Sequence, residues 1–263
     1  MTPAILLVSF GTAVPATREK TLDAIERDIR SAYPDHYVCH AWTSRMLREK
    51  VYEKEHISIP DLSEALEHIA KSGAKTVLVQ PTFVSEGTEY QEMIRELTND
   101  SAQYDYVFDH IYVGNPLLKY PESIVEAVMS ECTPPAKNEF LVFMGHGTAD
   151  GEDTCYEVLN ECFHSAGYPN VFLKTMKSSA SVDEIIRLAK ERKITRITLA
   201  PFMIVAGAHA LKDMSGDNET SWKTQLESAG YSVVCILKGL GEYTGIRQLL
   251  VQNIKDSCIH TIQ

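Results

Sequence analysis

None of the six cysteines forms a Cys-x-x-Cys pair. Cys39, Cys132, Cys155, Cys162, Cys235 and Cys258 are scattered along the 263 residues. A zinc site or a disulfide framework is therefore not expected, and the reduced thiols of a cytoplasmic protein fit better. No apolar run is long enough to cross a membrane. No basic region precedes the first apolar stretch, so residues 4–10 read as a strand and not as a signal peptide. Positive charge is also short. The 25 Lys and Arg stand against 36 Asp and Glu, a formal charge of −11, which argues against nucleic acid or an anionic membrane as a general partner. A local basic pocket for an acidic ligand stays open. Several catalytic signatures are missing as well: a GxxxxGK phosphate loop, a Gly-x-Ser-x-Gly elbow, a third glycine after Gly145 and Gly147, and the arginine that precedes the histidine in histidine phosphatases.

What is present centres on residues 139–150, Glu-Phe-Leu-Val-Phe-Met-Gly-His-Gly-Thr-Ala-Asp. Phe140 to Met144 has the length of a buried strand. It runs into Gly145-His146-Gly147, where two glycines allow a sharp turn and leave room around the imidazole. Helical composition resumes near Glu152. His146 is thus expected at the carboxyl end of a parallel strand, where open α/β sheets place their ligands. A neutral imidazole there can bind a metal or move a proton. The competing reading is a core histidine with its hydrogen bonds satisfied.

Along the rest of the chain, strand-like runs alternate with amphipathic helical ones. Leu22, Ile25, Ile29 and Ala32 share one face of a helix that Pro34 stops. Pro60 opens a helix burying Leu62, Leu66 and Ile69, closed by Gly73. Strands are expected at 76–80, 106–113, 171–175, 194–200 and 231–237. Ser181 and Glu184 read as a capping box. Thr133-Pro134-Pro135-Ala136-Lys137-Asn138 breaks the pattern as a linker, so the predicted organisation is an N-terminal α/β half, 1–132, and a C-terminal α/β half, 139–263. The fold class is α/β with parallel sheets.

The halves repeat each other. Leu7 to Ala13 lines up with Phe143 to Ala149, so Phe10 matches His146. Pro81 matches Pro201, Gly87 matches Gly207 and Glu89 matches His209. Two similar halves are expected to face each other across a central cleft, a common place for a small-molecule site. His146, His209 and Glu89 would then come from loops at strand ends. Two imidazoles and a carboxylate suit a divalent transition ion with open positions left for exchange. The other histidines, at 36, 40, 56, 68, 110, 164 and 260, read as solvated or core residues.

Leu7-Val8-Ser9-Phe10-Gly11-Thr12, Trp42-Thr43-Ser44-Arg45-Met46, Val79-Gln80-Pro81-Thr82, Gly145-His146-Gly147-Thr148, Val205-Ala206-Gly207-Ala208-His209-Ala210, Asp213-Met214-Ser215-Gly216-Asp217 and Ser221-Trp222-Lys223 together resemble the anaerobic cobalt chelatase (CbiK-type) family over nearly the whole chain. The resemblance implies a ferrochelatase-like class II fold and ATP-independent insertion of Co2+ into sirohydrochlorin on the anaerobic route to cobalamin. It also implies that His146 and His209 bind the metal. In this family a glutamate stands where Lys177 is found, often a histidine at Phe83 and an aspartate at Ala208, and Glu89 is the carboxylate nominated in place of that glutamate. For the tetrapyrrole, Phe10, Phe83 and Met203 are expected on the macrocycle face, Gly11 and Thr12 in the loop beside it, and Arg45 and Lys177 against its carboxylates. Two alternatives stay open: the same chemistry with Fe2+ or Ni2+, because affinity order does not choose the metal, and a non-catalytic tetrapyrrole or metal carrier. The oligomeric state is open too.

Overall fold

A computed structural model of the chain describes residues 2–104, 107–147, 154–178, 180–256 and 260–262. The order of elements is β1 (Ala4–Ser9), α1 (Pro15–Lys20), α2 (Leu22–Ala32), β2 (Tyr37–Trp42), α3 (Arg45–Glu55), α4 (Leu62–Ser72), β3 (Thr76–Pro81), α5 (Thr88–Tyr104) and β4 (His110–Val113). There follow α6 (Pro121–Met129), β5 (Glu139–Gly145), α7 (Thr154–Ser165), β6 (Val171–Thr175), α8 (Ser181–Glu191), β7 (Arg196–Phe202), a π-helix (Ala210–Met214), α9 (Trp222–Ser228), β8 (Ser232–Cys235), α10 (Thr244–Asn253) and β9 (His260–Ile262).

Two sheets result, ordered β2-β1-β3-β4-β9 and β6-β5-β7-β8. All pairings are parallel except β4 with β9, which is antiparallel. The central strands β1 and β5 carry apolar runs, with all six residues of β1 and six of the seven of β5 buried. Such runs are what a parallel strand needs when helices cover both faces. The edge strand β8 alternates exposed and half-buried positions instead. The α/β class with parallel sheets therefore holds, and β9 is the addition that residue pattern did not reveal.

The chain divides into two compact units, Met1–Lys119 with Arg247–Gln263, and Tyr120–Ile246. This division differs from the linear one at the Pro-rich linker. Residues from Arg247 onward count with the first unit, where β9 extends its sheet beside β4 and Arg247 Nε bonds Asp28 Oδ2 at 2.7 Å. Helix α6, before the linker, counts with the second unit and packs on α7.

The register carries the internal repeat into three dimensions. Val8 pairs with Pro81 and Ser9 with Trp42 in the first sheet. Met144 pairs with Pro201 and Gly145 with Thr175 in the second. The backbone bonds leaving the strands match as well. Thr43 N donates to Ser9 O and Met176 N to Gly145 O, each at 2.9 Å. Leu117 N donates to Phe83 O and Leu240 N to Met203 O, at 3.1 and 2.7 Å. Phe10 and His146 are therefore equivalent, as are Phe83 and Met203, Glu89 and His209, and Ser44 and Lys177.

Local structure departs from expectation in several places. Helix α3 gave no apolar period because Val51 is its one buried residue. It is started by the Ser44 hydroxyl, which accepts from Leu47 N. Ser181 and Glu184 make no capping box: Ser181 is already helical, its hydroxyl donates to Thr175 O at 2.7 Å, and Glu184 pairs with Lys174. A capping box does form between Asp61 and Glu64 at the start of α4, which Gly73 ends in the left-handed conformation at φ +82°. Ala32 is exposed at the end of α2. The strand expected at 106–113 is observed from His110, and Tyr106 lies outside the described residues.

Candidate functional site

The second unit carries the histidines. Strand β5 delivers His146 directly after Gly145, and Gly147 follows at φ +84°, a conformation that glycine adopts without the steric cost paid by other residues. A Cβ on Gly147 would stand 3.0 Å from Thr175 Cβ and 3.3 Å from Lys177 Cβ. The turn thus lies against the end of β6. Gly145 plays a different part: it ends β5, and a Cβ there would meet the Tyr156 ring at 2.7 Å. The stretch Thr148-Ala149-Asp150 lies outside the described residues.

Strand β7 delivers the second histidine. Its loop bends over residues 203–205, where Gly207 N donates to Val205 O at 2.9 Å, and enters the π-helix immediately after His209. The two imidazoles meet edge to face, with ring centroids 5.3 Å apart and planes at 65°. His146 is half-buried and the His209 side chain is 47% exposed, so a small ligand can reach both. Metal–nitrogen bonds of about 2.0–2.1 Å let two rings at this spacing share one ion. Each ring has its Nδ1 beside an oxygen: His146 Nδ1 lies 3.3 Å from Gly147 O, and His209 Nδ1 lies 2.7 Å from Asp213 Oδ2. Asp213 was not singled out from sequence. The signal was its spacing, four residues after His209 on a helical stretch.

The segment after His209 is held by its own polar network and a buried indole. Trp222 is 6% exposed and belongs to the same core cluster as Ala210 and Met214 of the π-helix. Ser221 caps α9 by accepting from Thr224 N, and its hydroxyl donates to Gly216 O at 2.5 Å. Asn218 Nδ2 donates to Lys212 O at 2.9 Å, and Lys223 Nζ pairs with Asp217 at 2.8 Å. The Ser-Trp-Lys motif therefore secures the loop that presents His209.

The remaining nominated residues divide between the units. Lys177, in the second, is exposed two residues past β6, and Met203 is half-buried against the second core. In the first unit, Phe10 follows β1 and is 47% exposed, and Gly11 adopts φ +104° against the Trp42 ring. Thr12 is buried and its hydroxyl accepts from Val14 N at 3.3 Å. Phe83 is buried within the first core cluster. Arg45 is exposed in the first turn of α3, where its Nε bonds Glu49 Oε1 at 2.7 Å. Glu89 is half-buried in the first turn of α5. Among the described residues, no group of three or more His, Cys, Asp or Glu side chains is arranged to hold an ion.

His40 sits in a different setting, paired with a carboxylate in the first unit. It lines a cavity of ≈ 200 Å³ in the first unit with Arg18, Glu26 and Trp42. Its Nδ1 bonds Glu26 Oε2 at 2.7 Å, and Arg18 forks onto Glu55 at 3.1 and 2.6 Å. Burial alone would raise the Glu26 carboxyl. The hydrogen bond and charge of His40, together with Arg30, outweigh it and hold the group at about 2. These charges satisfy one another, consistent with a structural part.

Comparison with known proteins follows the same lines. A cobalt chelatase (CbiK) family matches residues 3–259. A sirohydrochlorin cobaltochelatase of Salmonella typhimurium is 32% identical over 257 residues, 97% of this chain and 96% of that protein. The sirohydrochlorin cobaltochelatase CbiKC of Nitratidesulfovibrio vulgaris is 28% identical, covering 95% of this chain and 88% of its own. Among solved structures, SirB from Bacillus subtilis with Fe3+ superposes at a TM-score of 0.71 with 15% identity, covering 98% of this chain and 96% of SirB, which speaks for the fold. The chain belongs to the cobalt chelatase (CbiK) family.

Proposed function

We propose that this protein inserts Co2+ into sirohydrochlorin without ATP, as an enzyme of the cobalamin route. The observation that carries the reading is the pair of imidazoles 5.3 Å apart, one directly after β5 and one in the loop that follows β7, in a chain whose family relatives are named for this reaction. The ion is a substrate here. His146 and His209 hold it and replace part of its water, and the lack of a third His, Cys, Asp or Glu ligand among the described residues leaves positions open for the incoming nitrogens. As the ring nitrogens take the ion, they release two protons. A histidine freed from the metal accepts one, and Glu89 is the carboxylate proposed for the remaining proton traffic.

Lys177 stands where a glutamate would add negative charge to the site. Its ammonium is proposed to pair with a carboxylate of the substrate, as is Arg45, while Phe10 and Met203 offer apolar surface to the macrocycle beside Gly11 and Thr12. Phe83, buried in its own core, contributes by shaping the strand end. The experiment is anaerobic incubation with sirohydrochlorin and each of Co2+, Fe2+ and Ni2+, followed by absorbance. Insertion fastest with Co2+ supports the reading. Faster insertion of another ion changes the metal, and no insertion of any ion removes the enzyme.

A further inference from the structure

His209 and Asp213 are one helical turn apart, and Asp213 Oδ2 lies 2.7 Å from His209 Nδ1. A carboxylate only accepts, so Nδ1 carries the hydrogen of this bond, and in the neutral ring the lone pair then sits on Nε2. His146 is held by a weaker arrangement, a neutral carbonyl at 3.3 Å. Hydrogen bonds to an ionised acceptor are shorter and roughly twice as strong as neutral ones. The two acids of this segment also have separate partners. Asp217 bonds Lys223, whereas Asp213 bonds the imidazole. The backbone that carries Asp213 is anchored, because Ala210 and Met214 on either side of it are fully buried. The Ser215 N–H and hydroxyl both donate to Ala210 O, at 3.1 and 2.8 Å, and close the turn.

We infer that Asp213 is a positioning residue for His209: it fixes the ring orientation and the tautomer so that Nε2 is presented to the incoming ion. Partners behind metal-binding histidines act in this way in general, and their loss typically lowers metal affinity by about 10- to 100-fold. The inference rests on the reading of His209 as a holder of the substrate ion and adds the group that prepares it. It also makes the histidines unequal, since among the described residues His209 has a carboxylate behind it and His146 a backbone carbonyl.

The test uses the metal-free full chain. Long-range 1H–15N spectra, with His209 assigned by its disappearance in His209→Ala, should show the Nδ1–H tautomer in the native protein and a shift toward the Nε2–H tautomer in Asp213→Ala. Calorimetric titration with Co2+ alone should show about 10- to 100-fold weaker binding in Asp213→Ala, partly rescued by Asp213→Glu, with the KM for sirohydrochlorin unchanged. Should Asp213→Ala not fold, Asp213→Asn keeps the shape without the charge, and a smaller loss in the same direction is expected. If His209→Ala weakens Co2+ binding while the Asp213 variants keep both tautomer and affinity, the positioning role is overturned and the metal site stands. If His209→Ala binds Co2+ as tightly as the native chain, the reading of His209 itself fails, and this inference with it.

Discussion

The two halves share a strand order and register, yet the residues at equivalent strand ends differ in kind. Where the second unit has His146, the first has Phe10, and where the second has His209, the first has Glu89. Gly11 and Gly147 are equivalent and both adopt positive φ, at +104° and +84°. The frame was kept because the turn after each first strand needs that backbone conformation whatever side chain precedes it. The chemistry changed because side chains at strand ends point out of the sheet and are not fixed by its packing. The metal-binding character proposed for the second half therefore rests on two side chains, His146 and His209, and not on the shared frame. The edges differ too. Strand β9 covers β4 in the first sheet, whereas the equivalent β8 has no strand beyond it among the described residues.

The strongest way to break this comparison is to make the second half resemble the first. His146→Phe and His209→Glu, alongside the simpler His146→Ala and His209→Ala, should each lower cobalt insertion by at least about a hundredfold, the lower end for loss of an acid–base group. Steady-state rates with sirohydrochlorin and Co2+ measure this, and native turnover in both alanine variants would place the chemistry elsewhere.

Next in size is the paired glycine turn. Gly147→Ala should cost roughly 1–2 kcal/mol from its left-handed backbone, with Thr175 Cβ 3.0 Å from the new methyl. Gly11→Ala should cost more, because its Cβ would stand 2.4 Å from the Trp42 ring, and Trp42 is itself buried. Urea unfolding compares the two. An equal or smaller loss at Gly11 would mean that the indole moves aside freely.

Lys177 sharpens the comparison at lower cost. Its counterpart Ser44 caps α3, while Lys177 places a cation near the histidine turn, and an ammonium repels a divalent ion. Lys177→Glu should tighten Co2+ binding several-fold by calorimetry on the metal-free protein. A simultaneous rise in turnover assigns the lysine a hindering role in metal loading, and a fall assigns it to substrate binding. No change in either would remove it from the site.

The smallest expected effect lies in the first half. Glu26 titrates at about 2 in the folded chain against 4.5 ordinarily. Because the folded value is the lower one, its contribution to stability is complete above about pH 4.5 and lost as pH falls toward 2. Denaturation at a series of pH values should show Glu26→Gln with a shallower loss of stability in that window. An unchanged slope would mean that Glu26 is not held down by His40 and Arg30. Cobalt insertion at neutral pH should be unaffected.

Much of this organisation was legible in the residues. The apolar runs of β1 and β5 announce central strands because both of their faces are covered. The short matches around Pro81 and Pro201 announce the repeat because a strand end leaves little freedom in register. His146 and His209 could be paired from the repeat and the family resemblance, since both follow strands that neighbour each other in one sheet. Helix α3 was not legible, because a helix with one buried residue has no apolar period. The part played by Asp213 escaped, although the residue stands in a family motif, because an acid on a polar stretch looks like any solvated carboxylate until its partner is known.

By itself the sequence determined the alternation of strands and helices and the glycine turns, local consequences of side-chain pattern and backbone freedom, and it nominated the two histidines through the repeat and the family resemblance. Only the tertiary structure decided the rest. It set the 5.3 Å approach of the imidazoles, because that depends on β5 and β7 lying side by side. It returned the chain end to the first sheet through β9, because three residues carry too little pattern to announce a strand. It gave Trp222 a core position behind the His209 loop, because burial is decided by what packs around a residue and not by the residue alone.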